Sequence, residues 1–250
     1  MIYKKPLKEN LLINTGRPTK KQLGASFSLC VWNFQKCKNK KWTDDFAALA
    51  SDTDIFLGQE IRIHKKVEAA LIKTPLYWSS AVSFYSLYKK LATGITIGSL
   101  AKPLHLEIIA PVKEPFVKVP KMTMSAVFDI AGTEMLVINV HAINFKGIKA
   151  FEENLRQAKN LLKLFKGPII IAGDFNTWSK RRLLAAKTLI QSLHMREVKF
   201  TPDNRARFFK HPVDYIFTRG LKLQKAWIPI TKSSDHNPMR AIFTLDTQKQ

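Results

Sequence analysis

Short apolar runs separated by polar breaks recur along most of the chain. Ala25 to Asn33 alternates, with Phe27, Leu29 and Val31 on one face, and reads as a strand. Thr43 fits an N-cap for a helix that turns Phe46, Leu49 and Ala50 inward. Asp54–Gln59 reads as a second, more buried strand, and Lys65–Lys73 as an amphipathic helix. Strands are expected through the middle over Tyr77–Phe84, Thr93–Leu100, Leu104–Ile109, Met122–Ile130 and Met135–His141, with prolines in the gaps. Ala150–Phe165 carries Leu155, Ala158, Leu161, Leu162 and Phe165 at helical spacing and stops at Gly167-Pro168. Pro168–Ala172 then reads as a short buried strand, Arg181–Leu193 as a helix, and Val213–Thr218, Ala226–Ile230 and Ala241–Leu245 as late strands. No repeat or long linker divides the pattern. It implies one α/β domain over residues 25–250, preceded by an arm over 1–24 with six basic residues and one acid.

The polar residues at the strand ends change this from a fold class to a site. Val31-Trp32 leads to Asn33, and Phe56-Leu57 to Gln59-Glu60. Val137 to Val140 leads to His141, and Ile169 to Ala172 to Gly173-Asp174-Phe175-Asn176. Val213 is followed by Asp214, and Ser233-Ser234-Asp235-His236 precedes the last strand. A polar group at the end of a buried strand costs desolvation unless it is paired. Singly, each has an ordinary reading: Glu60 a solvated acid, Asp174 and Asn176 a turn or cap, His141 a structural histidine, Asp235-His236 a surface loop. Six such ends together imply one place where strand termini converge.

Composition narrows the partners. The 250 residues are 46% hydrophobic and 24% charged, a globular balance. Lys and Arg number 41 against 19 Asp and Glu, a net charge of +22, which draws polyanions. No run of about 18 apolar residues offers a spanning helix, and the polar N-terminus lacks a secretory stretch, so a cytoplasmic location is expected. Cys30 and Cys37 are too few for a disulfide framework or a zinc cluster. The carboxylates and amides instead suit Mg²⁺, with Mn²⁺ as a substitute. Histidines that contact or protonate a phosphate complete the parts for metal-assisted phosphoester hydrolysis.

The ordered series Trp32-Asn33, Gln59-Glu60, Asn139-Val140-His141, Gly173-Asp174-Phe175-Asn176, Val213-Asp214-Tyr215 and Ser234-Asp235-His236-Asn237-Pro238 resembles the endonuclease/exonuclease/phosphatase superfamily. That superfamily includes DNase I, abasic-site endonucleases, inositol polyphosphate 5-phosphatases and neutral sphingomyelinases. The stretches Asn139–Phe145, Ala172–Ser179 and Arg196–Thr201 look most like the bacterial YafD-like proteins. The resemblance implies a DNase I-like four-layer α/β/β/α sandwich: two mostly antiparallel sheets flanked by helices, the site at one edge. It makes residues 25–250 the catalytic domain. It implies Glu60 as the main metal ligand, with Asn33 and Asp235 near the metal or its waters. Asp174 would align or deprotonate a water, and Asn176 would hold a non-bridging oxygen. His236, oriented by Asp214, would contact the phosphate, and His141 would serve as an acid or a phosphate contact.

Departures from the branches shape the substrate expectation. Trp32-Asn33-Phe34-Gln35-Lys36 and Gln59-Glu60-Ile61-Arg62 differ from the abasic-site pattern, and His211-Pro212-Val213-Asp214-Tyr215 differs from the 5-phosphatase one. Between Asn176 and Lys225 stand twelve basic residues and three acids. Arg62, Asn144, Arg181, Arg182, Arg205 and Arg207 are the expected substrate contacts, and Phe208 and Phe209 interleave with them. The leading expectation is a nuclease of low sequence selectivity on DNA or RNA. A phospholipid or phosphoinositide phosphodiesterase at an anionic membrane surface is the alternative, with Ser79–Leu91 as its interfacial segment. A non-catalytic nucleic-acid-binding module is the third.

Overall fold

The computed structural model of the chain describes residues 3–4, 11–86, 91–113, 120–142 and 162–246. Two sheets carry it. The first joins, in spatial order, β1 (Tyr3–Lys4), β5 (Tyr77–Ser86), β6 (Leu91–Ser99), β4 (Ile55–Ile63), β3 (Ser26–Asn33), β16 (Met239–Leu245) and β15 (Leu221–Trp227), with β2 (Leu12–Thr15) also on β5. The second runs β11 (Arg196–Glu197), β14 (Asp214–Arg219), β10 (Ile169–Asp174), β9 (Thr133–His141), β8 (Pro120–Ile130) and β7 (His105–Lys113). Each sheet has one parallel pair, β3 with β4 and β9 with β10, and is otherwise antiparallel. A two-stranded hairpin, β12 (Arg207–Phe208) and β13 (His211–Pro212), stands outside both sheets.

Side-chain alternation builds four layers from this topology. Along β3, Phe27, Leu29 and Val31 enter the core between the sheets, while Cys30 and Trp32 face outward. Along β10, Ile170 and Ala172 point between the sheets and Ile169 and Ile171 away. Both faces of β10 are buried, so it reads as a continuous apolar run. The outer face of the first sheet is covered by α1 (Trp42–Ala50) and α2 (Lys65–Ile72), whose Phe46 and Val67 join Trp32, Phe56 and Trp78. The outer face of the second is covered by α3 (Lys180–Ser192) through Ala186, Leu189 and Ile190. The order is α/β/β/α, as the sequence led us to expect.

Several local expectations need correction. Thr43 is not the cap of α1: the cap is Lys41, two residues earlier, and the helix opens with Trp42 buried beside Phe46. The late strand is Leu221–Trp227 rather than 226–230, and Ile230 is exposed in the loop beyond it. From Leu11 onward the expected arm is part of the sandwich: β2 pairs with β5, and Leu23 is fully buried with its N–H on the Asp129 carbonyl. The helix expected over 150–165 is observed at residues 162–164, its earlier part lying outside the described residues. The expected interfacial segment begins in strand β5, and its residues 87–90 lie outside them too.

Candidate active site

The strand ends converge because inward parity continues past the apolar core. Asn33 follows Phe27, Leu29 and Val31 on β3. Asn139 and His141 follow Met135 and Val137 on β9. Asp174 follows Ile170 and Ala172 on β10, and Asp214 precedes Ile216 on β14. Pairing brings these ends to one edge: the parallel β3–β4 pair sets Asn33 opposite Gln59, the parallel β9–β10 pair sets Asp174 beside His141, and the antiparallel β10–β14 pair sets it beside Asp214. All of them are buried.

Glu60 arrives by another route. Simple alternation from Ile55 and Leu57 would turn Ile61 inward. Instead the register against β6 shifts between Gly58 and Ile61, Ile61 packs in the outer cluster, and Glu60 adopts a φ of 50°. A bulge of this kind re-aims side chains at a sheet edge. Gln59 and Glu60 therefore both serve the cleft: Gln59 bridges the sheets and Glu60 lines the cavity.

Hydrogen bonds hold this edge. Gln59 Nε2 donates to Asn139 Oδ1 at 2.7 Å, and Asn139 Nδ2 donates to the carbonyls of Gly58 and Thr96 at 3.1 and 2.8 Å. Asn33 Nδ2 donates to Asp174 Oδ2 at 3.1 Å. The backbone N–H of Asn176 donates to Asp174 Oδ1 at 2.9 Å, and Asn176 Nδ2 donates to the Ala142 carbonyl. Asn176 sits at a φ of 49°, a region asparagine tolerates well. Gly173 has a φ of 134°, and a Cβ there would lie 2.1 Å from the Val140 carbonyl oxygen. The last loop is pinned to β3: Trp32 Nε1 donates to the His236 carbonyl, and Ser234 Oγ to that of Asn33.

His236 Nδ1 is 2.7 Å from Asp214 Oδ2. Burial alone would lower the pKa of this imidazole, but the Asp214 carboxylate overrides it and pushes it up to about 10. Burial and the charge of Asp214 raise Asp174 to about 6. Burial would raise Glu60 as well, yet Lys121, His141 and Lys36 hold it down at about 2. His141 is displaced well below the ordinary histidine range by burial and by Lys121. Four titratable groups in one cleft are thus driven to different protonation states, the pattern by which acid and base roles separate.

The cleft encloses about 320 Å³, and its lining includes Asn33, Gln35, Lys38, Glu60, Lys121, Asp174, Asn176, Trp178, Arg207, Phe208, Asp235 and His236. Asp214 and His141 stand behind it, as partners of His236 and Glu60. The expected basic contacts divide. Arg207 is exposed on the rim. Arg182 is buried, donates to the Asn176 carbonyl and lies 5.0 Å over the Trp178 ring, so it braces the loop after Asp174. Arg205 is buried too, bound to Asp203, Glu197 and the Asp214 carbonyl and packed on Tyr215. Arg62 and the exposed Arg181 are not among the lining residues, and Asn144 lies outside the described residues.

Lys121 is the site residue that the sequence reading missed. Its Nζ is 2.6 Å from His141 Nε2 and 3.2 Å from Glu60 Oε1. The available signal was a lone lysine at the start of a strand, after Pro120.

The donors fit a hard divalent cation. Ionised Glu60 lines the same cavity as Asn33, Asp174 and Asp235, and no cysteine lines it. Oxygen and nitrogen atoms of Asp174, Asp214 and His236 also lie within 4.8 Å of one another. In that cluster His236 Nδ1 is already shared with Asp214.

Residues 30–236 match the model of the Endonuclease/Exonuclease/phosphatase family. A UPF0294 protein of Vibrio parahaemolyticus is 35% identical over 223 residues, 88% of this chain and 78% of that one. One from Erwinia tasmaniensis is 30% identical over 230 residues, 90% and 84% of the two. Among solved structures, a Leptotrichia buccalis endonuclease/exonuclease/phosphatase family protein aligns with a TM-score of 0.69 at 16% identity, covering 86% of this chain and 98% of that one. The catalytic domain of human Nocturnin, solved with a bound sulfate, also aligns at 0.69 and 16%, covering 92% and 100%.

Proposed function

The chain belongs to the endonuclease/exonuclease/phosphatase family, and from that premise we propose that it is a Mg²⁺-dependent phosphodiesterase cutting DNA or RNA with little sequence selectivity. Family membership supports the coarser statement, a phosphoester hydrolase. The observation that carries the mechanism is the cluster of His236, Asp214 and buried Asp174, with donor atoms within 4.8 Å of one another, at a cleft that ionised Glu60 also lines.

Each residue has a task. Glu60, with Asn33 and Asp235, would hold the cation, which when bound polarises a phosphate oxygen and offsets its charge. Asp174, poised near neutrality, accepts the proton of the attacking water. As the water oxygen bonds to phosphorus, the bond to the departing oxygen breaks in line with it. Asn176 steadies a non-bridging oxygen. The imidazolium of His236 meets the growing negative charge, with Asp214 fixing its ring. The +22 charge, with Lys38 and Arg207 on the rim, suits a polyanionic backbone over a small neutral substrate.

The test is cleavage of labelled single- and double-stranded DNA and RNA with Mg²⁺, with EDTA, and by Glu60→Ala and Asp174→Asn proteins. Cutting that needs the metal and falls at least about 100-fold in both variants supports the reading. A folded wild type that cuts no polymer overturns the nuclease reading and moves the substrate to lipid or small phosphodiesters.

A further inference from the structure

We infer that Phe208 and Phe209, on the hairpin beside the cleft, form a stacking platform for unpaired nucleobases, so that the protein binds single strands in preference to duplex. This rests on the nuclease reading above and names the form of nucleic acid that the site takes.

Three observations meet at this hairpin. First, the two rings are 55% and 78% exposed, in edge-on contact with centroids 4.9 Å apart. One exposed aromatic is ordinary, but two adjacent ones, the last residue of β12 and the first of the turn, put apolar area into water for no folding gain. Second, Phe209 has a φ of 52°. Glycine or asparagine would hold that turn without strain, whereas a bulky aromatic pays a conformational cost there, and strain of this kind gathers at working sites.

Third, the platform is fastened to the site. Phe208 lines the same cavity as His236 and Asp235. Beneath it, buried Arg205 ties Asp203 to the Asp214 carbonyl, and the Val213 N–H closes on the Ala206 carbonyl. The hairpin leads directly into Asp214, the residue that orients His236. Exposed Arg207 and Lys210 flank the rings, and Arg207 is steadied by Asp203 at 2.9 Å.

The pairing of charge and ring selects the ligand. Cations at the rim hold phosphates, and a flat apolar face within the same cleft takes the base attached to one of them. Trp178 also lines the cleft, but the Arg182 guanidinium covers its ring. In a duplex the base faces are already stacked on each other. Only an unpaired base presents a face to Phe208.

The experiment measures binding in EDTA, where no cutting occurs, at one fixed salt concentration. Fluorescein-labelled 12-nucleotide single strands and the matching duplex are titrated with wild type, F208A/F209A, F208L/F209L and F208W/F209W proteins, each first shown to be folded by circular dichroism. Wild type should favour the single strand. The alanine pair should weaken single-strand binding by about tenfold per ring and leave duplex binding nearly unchanged. Tryptophan should restore the preference and leucine should not. Equal weakening for both ligands, unchanged binding, or full rescue by leucine overturns the platform. So does sedimentation with phosphatidylserine vesicles that alanine abolishes and leucine keeps, which would give the pair to a lipid surface. Wild-type cleavage with Mg²⁺ tests the nuclease reading independently of this binding result.

Discussion

Lys121 Nζ lies 3.2 Å from Glu60 Oε1, so a cation of the protein itself stands against the carboxylate expected to hold a metal. Lys121 belongs to β8 of one sheet and Glu60 to β4 of the other. Their pairing bridges the sandwich at the mouth of the site. It also keeps Glu60 ionised where burial alone would favour its neutral form.

Replacing Lys121 with methionine should therefore leave Glu60 without its main counter-charge. At pH 7 in EDTA we expect a loss of about 1–3 kcal/mol in urea unfolding, the usual scale for stranding a largely buried charge. Added Mg²⁺ should raise the melting temperature of the variant more than that of wild type, because the metal replaces the missing ammonium. Equal Mg²⁺ shifts in the two proteins would remove Glu60 as the metal seat.

The His236–Asp214 pair makes stability depend on pH in a stated direction. Its folded pKa, about 10, is above the unfolded value near 6.5. The folded state thus binds the proton more tightly, and stability from the pair is whole below pH 6.5. It declines as pH rises and is lost above about pH 10. Melting temperatures from pH 6 to 10 should fall more steeply for wild type than for Asp214→Asn. Parallel curves would mean that the imidazole is not charged in the folded protein.

Gly173 admits no side chain. Alanine there would place its Cβ 2.1 Å from the Val140 carbonyl oxygen at a φ of 134°, and both the clash and the conformation oppose it. Gly173→Ala should destabilise by about 3 kcal/mol or more and disturb Asp174, its neighbour. A variant that melts like wild type would contradict the backbone geometry of this turn.

Arg205 and Arg207 are two residues apart and should behave differently. Arg205→Met breaks buried ion pairs with Asp203 and Glu197 and should cost about 3 kcal/mol in chemical denaturation. Arg207→Ala should leave stability within about 0.5 kcal/mol and reduce the salt dependence of nucleic-acid binding by about one unit of slope. Equal stability losses would show that exposure does not separate their roles.

Much of the site was legible because its residues obey local rules. Asn33, His141, Asp174 and Asp214 each continue the inward alternation of an apolar strand, and that alternation is written in neighbouring residues. Glu60 was recognised by its motif alone, since the bulge that aims it breaks the alternation. Arg182 and Arg205 were expected on the rim because a basic residue in a polar stretch reads as solvated. Their burial depends on carbonyls and carboxylates a few residues away that the loop and strand geometry folds back onto them.

The amino-acid sequence alone is enough for most of the long strands, the polar ends they share, the glycine before Asp174 and the pull toward polyanions. Each of these follows from the periodicity, composition or conformational freedom of residues close together in the chain. Tertiary packing, within each sheet and between them, adds the rest. It sets Lys121 against Glu60 and His141, buries two of the expected arginines, and brings an exposed pair of phenylalanines to the mouth of the cleft. Lys121 meets Glu60 from a distant part of the sequence, and the arginines meet partners nearer in the chain, but all these energies depend on distance and burial, quantities that exist only once the chain has packed.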